Sequence, residues 1–394
     1  MASFPPIQLS PPELLSEIFQ HLLSHDLFSA AQVCGLWREA ALGHASLWTR
    51  VTVSPESLSY PHGLGIVLRR SKNLPITLEF LIPPSQPGET PNDYAALWRL
   101  LTYIIIPELA RCASLRVIAD EVACGTITSV FFGHKFPLLR SLHLVNMDVD
   151  PHWQVVLAGS ELPPVPPSFL YFDLPEGHAL EECVLHGFTL GYHSLPDLKS
   201  LSIVNHNPSL LDSGGALNPQ LFAVPTDLRL DNLCIPVIDL PKDDVLDPCA
   251  TGLTTLHLSR VRGMPLDSDE DGSEWDGMEE YHSGPFFNAL NTSRVRSLTM
   301  EEWDAAGQVV EDFISTLPLK YPKFPELTHL CLRRMELGPP EGIMRLLRAM
   351  PALRELKIEE CPETAQVVFE VLCLDEKLCP GVRQVETGDG LLSR

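Results

Sequence analysis

Residues 9–48, LSPPELLSEIFQHLLSHDLFSAAQVCGLWREAALGHASLW, decide how the rest of the chain is read. They predict three short helices. Ser10 is placed to cap the first, with Pro11 at the first helical position and Glu13 three residues after the cap, a capping box. Leu14, Leu15, Ile18, Phe19 and Leu22 recur at helical spacing on one broad face. Asp26 is placed to cap a second helix carrying Leu27, Ala30, Ala31 and Cys34. Gly35 breaks it, and Leu36, Trp37, Ala40 and Ala41 begin a third apolar face that Leu47 and Trp48 close. So short a stretch buries too little surface to stand alone. It also carries more large apolar side chains than a small bundle hides. The surplus must pack on the rest of the chain or on another protein.

The order Pro-Pro-Glu-Leu-Leu, Ile-Phe, His-Leu, Asp-Leu, Ala-Ala-x-Val-Cys-x-x-Trp-Arg and Leu-Trp resembles an F-box, in a style similar to the F-box proteins of fungi. The resemblance covers residues 6–50. In that family the motif docks on a Skp-type adaptor, which joins it to a cullin–RING ubiquitin ligase. Carried over by position, the resemblance implies that Pro11, Pro12, Leu14, Leu15, Ile18, Phe19 and Leu22 are adaptor-facing or framework residues of the first helix. Leu27, Val33, Cys34, Trp37 and Trp48 then hold the other helices and parts of the contact. Ser10-Pro11 stands where the family usually has Leu-Pro, and Gly35 where a basic residue commonly follows the Cys.

Residues 51–72 read as a linker region with a short helix from His62 to Arg70. A strand is expected over 74–80, a polar proline-rich loop over 83–93, and a helix from Leu97 to Ala110. A repeat then emerges. Phe136-Pro-Leu-Leu-Arg-Ser-Leu-His-Leu144 is followed by Leu195-Pro-Asp-Leu-Lys-Ser-Leu-Ser-Ile203. Phe324-Pro-Glu-Leu-Thr-His-Leu-Cys-Leu332 and Met350-Pro-Ala-Leu-Arg-Glu-Leu-Lys-Ile358 repeat it. Three residues on stand Met147, His206, Met335 and Cys361. The form resembles the Leu-x-x-Leu-x-Leu-x-x-Asn/Cys core of leucine-rich repeats.

Weaker copies lie at Leu115/Val117, Leu180/Cys183/Leu185, Leu228/Leu230/Leu233, Leu253/Leu256/Leu258 and Val295/Leu298/Met300. Cys183 and Leu201 stand too close together for a full strand-and-helix unit, so one of that pair is expected not to be a repeat strand. Pro340–Met350 and Glu363–Cys373 read as return helices. In such arrays no unit closes its own core, so neighbours must stack. The Pro at each strand start is expected to stop the preceding helix. The fold class is therefore α/β: an N-terminal three-helix F-box followed, over 73–394, by a degenerate leucine-rich-repeat arc, with parallel strands inside and helices and irregular segments outside.

The formal net charge of −23 disfavours a nucleic-acid backbone or anionic membrane as partner. Residues 264–285 hold eight carboxylates and no Lys or Arg, and read as a solvated acidic loop. Asp267, Asp269 and Asp271 alternate as in a calcium loop, but the glycine and closing glutamate are out of register. The ten cysteines are scattered, with no zinc-type spacing, and read as small core residues. No phosphate-binding loop or nucleophile elbow is present. No metal, cofactor or catalytic residue is expected. The N-terminal MASFPPIQLS lacks a basic segment followed by an apolar run, so a soluble cytoplasmic or nuclear protein is expected.

The function implied by the resemblance is target recognition for a Skp–cullin–F-box ubiquitin ligase, as a non-catalytic subunit. The alternative is a scaffold that binds partners without directing ubiquitination. Candidate target-binding residues are the outward strand positions His143, Ser202, His257, Thr299, Cys331 and Lys357, each flanked by inward apolar residues.

Overall fold

The N-terminal helices form where the apolar spacing places them. α1 is Pro12–Phe19, α2 Ser24–Val33 and α3 Gly35–Gly43, followed by a 3-10 turn at Ala45–Trp48. The computed structural model describes the chain except residues 1–10, 23, 60, 85–92, 132, 150–169, 173–178, 191–197, 207–224, 236–251, 264–291, 304–312, 314–321, 336, 338, 376, 389 and 394. Ser10 and its capping box therefore lie outside the described residues, as do the acidic segment 264–285 and the alternating aspartates. Two helix starts differ from expectation. Pro11 is the N-cap of α1, and Pro12 is its first residue. A proline there loses nothing, because the first amides of a helix have no internal acceptor. α2 begins at Ser24, so Asp26 sits in its first turn rather than at its cap.

The described chain divides into two compact units, residues 1–193 and 194–394. In the first, the bundle leads into β1 (Arg50–Val53), α4 (Pro55–Ser59), α5 (Pro61–Arg70) and β2 (Ile76–Ile82). α6 (Tyr94–Leu100) runs into a π turn at Leu101–Ile105 and a 3-10 turn at Ile106–Arg111. One continuous helix was expected over 97–110. Pro107 has no amide hydrogen to offer the carbonyl a turn earlier, so the helix changes gauge ahead of it. β3 (Cys112–Ala119), α7 (Glu121–Phe131), β4 (Ser141–Asn146), β5 (Leu170–Phe172), β6 (Glu182–His186) and β7 (Phe188–Leu190) complete the unit. β1, β2, β3, β4 and β6 form neighbouring parallel pairs in that order. β5 and β7 pair separately.

The second unit holds β8 (Ser200–His206), β9 (Asp227–Ile235), β10 (Thr255–Ser259), β11 (Arg262–Gly263), β12 (Ser297–Glu301) and β13 (His329–Arg333). After them come α8 (Pro340–Arg348), β14 (Glu355–Glu359), α9 (Pro362–Leu374), β15 (Gln384–Thr387) and β16 (Gly390–Ser393). The sheet order is β8-β9-β10-β12-β13-β14-β15-β16. All these pairs are parallel except β15–β16. The short β11 adds a parallel pair to β9. Cys183 and Leu201 both lie on strands, β6 and β8, against the expectation that one of them does not.

The repeat positions fall into register. Leu201, Leu228, Leu256, Leu298, Leu330, Leu356 and Val385 are successive partners across the second unit. Ile203, Leu230, Leu258, Met300, Leu332 and Ile358 form the next inward row. Both rows are buried. A period of two puts every second residue on one face, so the leucines stack into a continuous core and the residues between them face outward. This is a mixed α/β chain whose long series of parallel strands is consistent with stacked repeats.

The turn before these strands recurs as well. Leu139, Leu327 and Leu353 donate their amides to Phe136, Phe324 and Met350. Pro137, Pro325 and Pro351 thus occupy the second position of a four-residue turn, where a fixed φ is favourable. They set this turn, and Pro351 also stands two residues past Ala349, the C-cap of α8, where it bars the helix from continuing. Cys379-Pro380-Gly381-Val382 makes the same turn before β15 at 2.9 Å, a repeat that the search for leucine missed. A Cβ on Gly381 would stand 2.7 Å from the Leu353 carbonyl oxygen, so only glycine fits there.

Four strands end alike. Arg260, Glu302, Arg334 and Glu360 follow β10, β12, β13 and β14 with φ of 47°, 51°, 49° and 57°. The amides of Arg260, Glu302 and Arg334 donate to Glu301, Arg333 and Glu359, the last residues of the neighbouring strands. Val261, Trp303, Met335 and Cys361 then turn inward. The Met335 amide donates to Cys361 Sγ at 2.9 Å, linking two successive repeats. In the β4 repeat the buried position belongs to Asn146 and not to Met147, because β4 runs one residue longer.

Candidate functional site

Within the bundle, α1 carries two apolar pairs at i,i+4 spacing. Leu15 and Phe19 point inward, at 0% and 1% exposure. Leu14 and Ile18 point outward, at 50% and 53%. One helical residue advances the direction by roughly 100°, so the two pairs lie on adjoining faces. Val33 at the end of α2 is also exposed, at 62%. Phe19 meets Trp37 edge-on at 5.3 Å, and Phe28 meets Trp48 at 5.1 Å. Trp48 Nε1 donates to the Ala41 carbonyl at 2.8 Å. The Arg70 guanidinium of α5 lies 4.5 Å over the Trp48 ring and 5.1 Å over Phe28. This fastens the bundle to the rest of the first unit.

These positions sort the residues expected at the adaptor contact. Leu15, Phe19, Leu27 and Trp48 are buried in their own bundle and hold it together; a partner cannot reach them. Leu14, Ile18 and Val33 are accessible, as is Pro11 beside them in sequence. Leu22, Cys34 and Trp37 are half-buried. Pro12 opens α1. The helical period separated the two faces of α1, but sequence alone did not say which faced inward.

The outward strand positions also line up. Ser202, Arg229, His257, Thr299, Cys331, Lys357 and Glu386 form one row across the second unit. Five of the six candidate target-binding residues therefore share a row, to which Arg229 and Glu386 belong as well. His143 stands in the first unit, in the row Thr52, Glu79, Arg116, His143, Val184. The alternation Leu228-Arg229-Leu230 was the signal by which Arg229 was legible.

Ion pairs run along the second unit's outward face. Asp231 holds Arg260 at 2.9 Å and Arg229 at 3.7 Å. Glu301 holds Arg334 at 2.6 Å and Arg333 at 3.6 Å, with His257 at 3.8 Å. Glu359 holds Arg333 at 2.6 Å and Lys357 at 2.8 Å. Hydrogen bonds from Lys357 and then Arg333 hold the Glu359 carboxyl below its ordinary range. Burial, and then Arg229, push the His257 imidazole below its ordinary value. In the first unit Glu79 is buried between Arg116, at 2.8 Å, and Arg50, at 3.2 Å.

The buried thiols are not poised for chemistry. Desolvation pushes Cys112 up to about 12 and raises Cys124 and Cys183 as well. A thiol held protonated is a poor nucleophile. Among the described residues no group of three or more His, Cys, Asp or Glu is placed to hold a metal ion. No helix among them is long and apolar enough to cross a membrane.

Residues 11–54 match the F-box-like family. The matched region is the bundle just described, from the N-cap of α1 through β1 and one residue beyond. The F-box-like domain is therefore the helical unit in which Leu14, Ile18 and Val33 are exposed. No curated protein matches the chain.

Proposed function

We propose that this chain is the target-recognition subunit of a Skp–cullin–F-box ubiquitin ligase, contributing no catalytic group. The observation that carries the reading is the exposed apolar pair Leu14 and Ile18 on α1, with Val33 exposed at the end of α2, on an F-box-like bundle whose own core is already closed. Exposed apolar surface of this kind is stabilised by a partner, and a Skp-type adaptor is the partner such domains take. The parallel strands that follow have the in-register inward leucines expected of leucine-rich repeats. Their outward rows present His143, Ser202, His257, Thr299, Cys331 and Lys357 to a target. The role is geometric: holding a target beside a charged conjugating enzyme raises its effective concentration.

The test is binding of purified full chain to a Skp-type adaptor, followed by copurification of the cullin. Ile18→Asp should abolish adaptor binding while leaving the helical content unchanged. Grouped substitution of the outward residues should abolish target capture and spare adaptor binding. Absence of adaptor binding by the unaltered chain overturns the reading.

A further inference from the structure

Glu79 is an uncommon strand residue. Its side chain is only 5% exposed, yet it points to the same face as the half-exposed Leu81 on β2. Oε1 accepts from Arg116 Nη1 at 2.8 Å, and Oε2 accepts from Arg50 Nη2 at 3.2 Å and Thr52 Oγ1 at 3.4 Å. One carboxylate thus fixes two guanidiniums, from the strands on either side. Both stay open to solvent, at 60% for Arg50 and 46% for Arg116. A guanidinium has five N–H donors, and each of these commits one nitrogen to Glu79. The pair is pre-organised, carries one surplus positive charge, and leaves donors of both guanidiniums uncommitted to the anchor.

Beside this charged row lies an apolar one. Leu81, Ile118 and Val145 are successive partners on β2, β3 and β4, and each is half-exposed on the same face. Arg116 and Ile118 are two residues apart on β3. Along a strand that step is about 6.6 Å, the distance after which any extended chain repeats its side-chain direction. An extended segment lying along β3 therefore sets a carboxylate against Arg116, whose Glu79 anchor also draws in Arg50 from β1, when an apolar side chain two residues away reaches Ile118.

We propose that this face is a docking surface for an extended segment of the target protein that carries an acidic side chain two positions from an aliphatic one. The Glu79-anchored arginines take the carboxylate, and the Leu81, Ile118 and Val145 row takes the aliphatic group. The proposal rests on the target-recognition reading above and gives that target its chemistry. A chain of net charge −23 makes a surplus of cations at one place a source of selectivity.

The probe is a set of four fluorescein-labelled nine-residue peptides, identical except for the residue two positions from a single leucine: glutamate, glutamine, lysine or phosphoserine. Fluorescence anisotropy with the full chain should rank glutamate at least roughly tenfold tighter than glutamine, with lysine weakest. Phosphoserine shows whether the arginine pair prefers a dianion, and an affinity below that of glutamine would overturn the charge argument. Arg50→Gln, Glu79→Gln and Arg116→Gln are combined so that no buried charge is left unpaired. This variant should bind the glutamate and glutamine peptides equally, and Ile118→Asp should lose both. Adaptor binding by each variant verifies folding. If the adaptor binds and the glutamate preference is missing, or survives in the triple variant, the docking proposal is wrong while the ligase reading stands. If the adaptor does not bind the unaltered chain, the ligase reading fails whatever the peptides do.

Discussion

Replacing Leu14 and Ile18 together by alanine separates partner contact from bundle stability. Full burial of a leucine or isoleucine side chain is worth about 1.5–3 kcal/mol. The bundle already covers about half of each, since Leu14 is 50% and Ile18 53% exposed. Covering the remainder contributes about 0.7–1.5 kcal/mol apiece, or about 1.5–3 kcal/mol for the pair. Isothermal titration against a purified Skp-type adaptor should therefore show roughly ten- to 150-fold weaker binding. The unbound variant should unfold within about 0.5 kcal/mol of the parent, because little packing is lost. Leu15→Ala is the opposite case. At 0% exposure it should cost about 2–5 kcal/mol of folding stability, and its adaptor affinity should fall only as the folded fraction falls. Threefold or smaller weakening in the double variant, or unchanged stability in Leu15→Ala, would refute this division of α1 into two faces.

Other outcomes follow from single contacts. Trp48→Ala should lose about 3–5 kcal/mol in denaturant unfolding, while Trp48→Phe should lose about 1–3 kcal/mol through the unmade bond to the Ala41 carbonyl. Cys361→Ala should cost about 1–3 kcal/mol by orphaning the Met335 amide, and Cys361→Ser should recover part of it. Burial lowers the Lys323 amine to about 8, so the folded state sheds a proton that the unfolded chain keeps up to its ordinary value of 10.5. Stability carried by this group should rise between pH 8 and 10.5, a slope that Lys323→Met should remove from melting temperatures measured across that range.

The sequence made the inward rows legible because the chemistry there is repetitive. A leucine at every second position can face only one way, and register follows from keeping those leucines together. That argument placed β3, β9, β10 and β12 from weak copies. It failed at β15, where Val382 and Val385 replace leucine, although the Cys379-Pro380 turn was in plain sight. It misplaced the buried residue after β4, since Asn146 against Met147 depends on one extra residue of strand. In the bundle, spacing gave α1 its apolar residues but not the inward pair, because that choice depends on where α3 and Trp37 lie. Glu79 looks in sequence like an ordinary polar residue of a strand, between Leu78 and Phe80. Its burial is created by Arg50 and Arg116, twenty-nine and thirty-seven residues away.

The left-handed turns after β10, β12 and β13 have a direction. In each case the strained residue belongs to the earlier repeat, and the carbonyl that receives its amide belongs to the later one. A non-glycine residue costs about 1–2 kcal/mol in that conformation, which the bond to the following strand helps to offset. A repeat emerging from the ribosome is thus unfinished until its successor arrives, and the growing end of the array always trails one incomplete turn. The same asymmetry makes the two ends unequal. Loss of a repeat from the N-terminal side removes a donor and leaves a strand carbonyl that water can satisfy. Loss from the C-terminal side leaves a left-handed residue whose amide must turn from a strand carbonyl to water. At that end of the series, β15 takes an antiparallel partner, β16, in place of a further parallel strand.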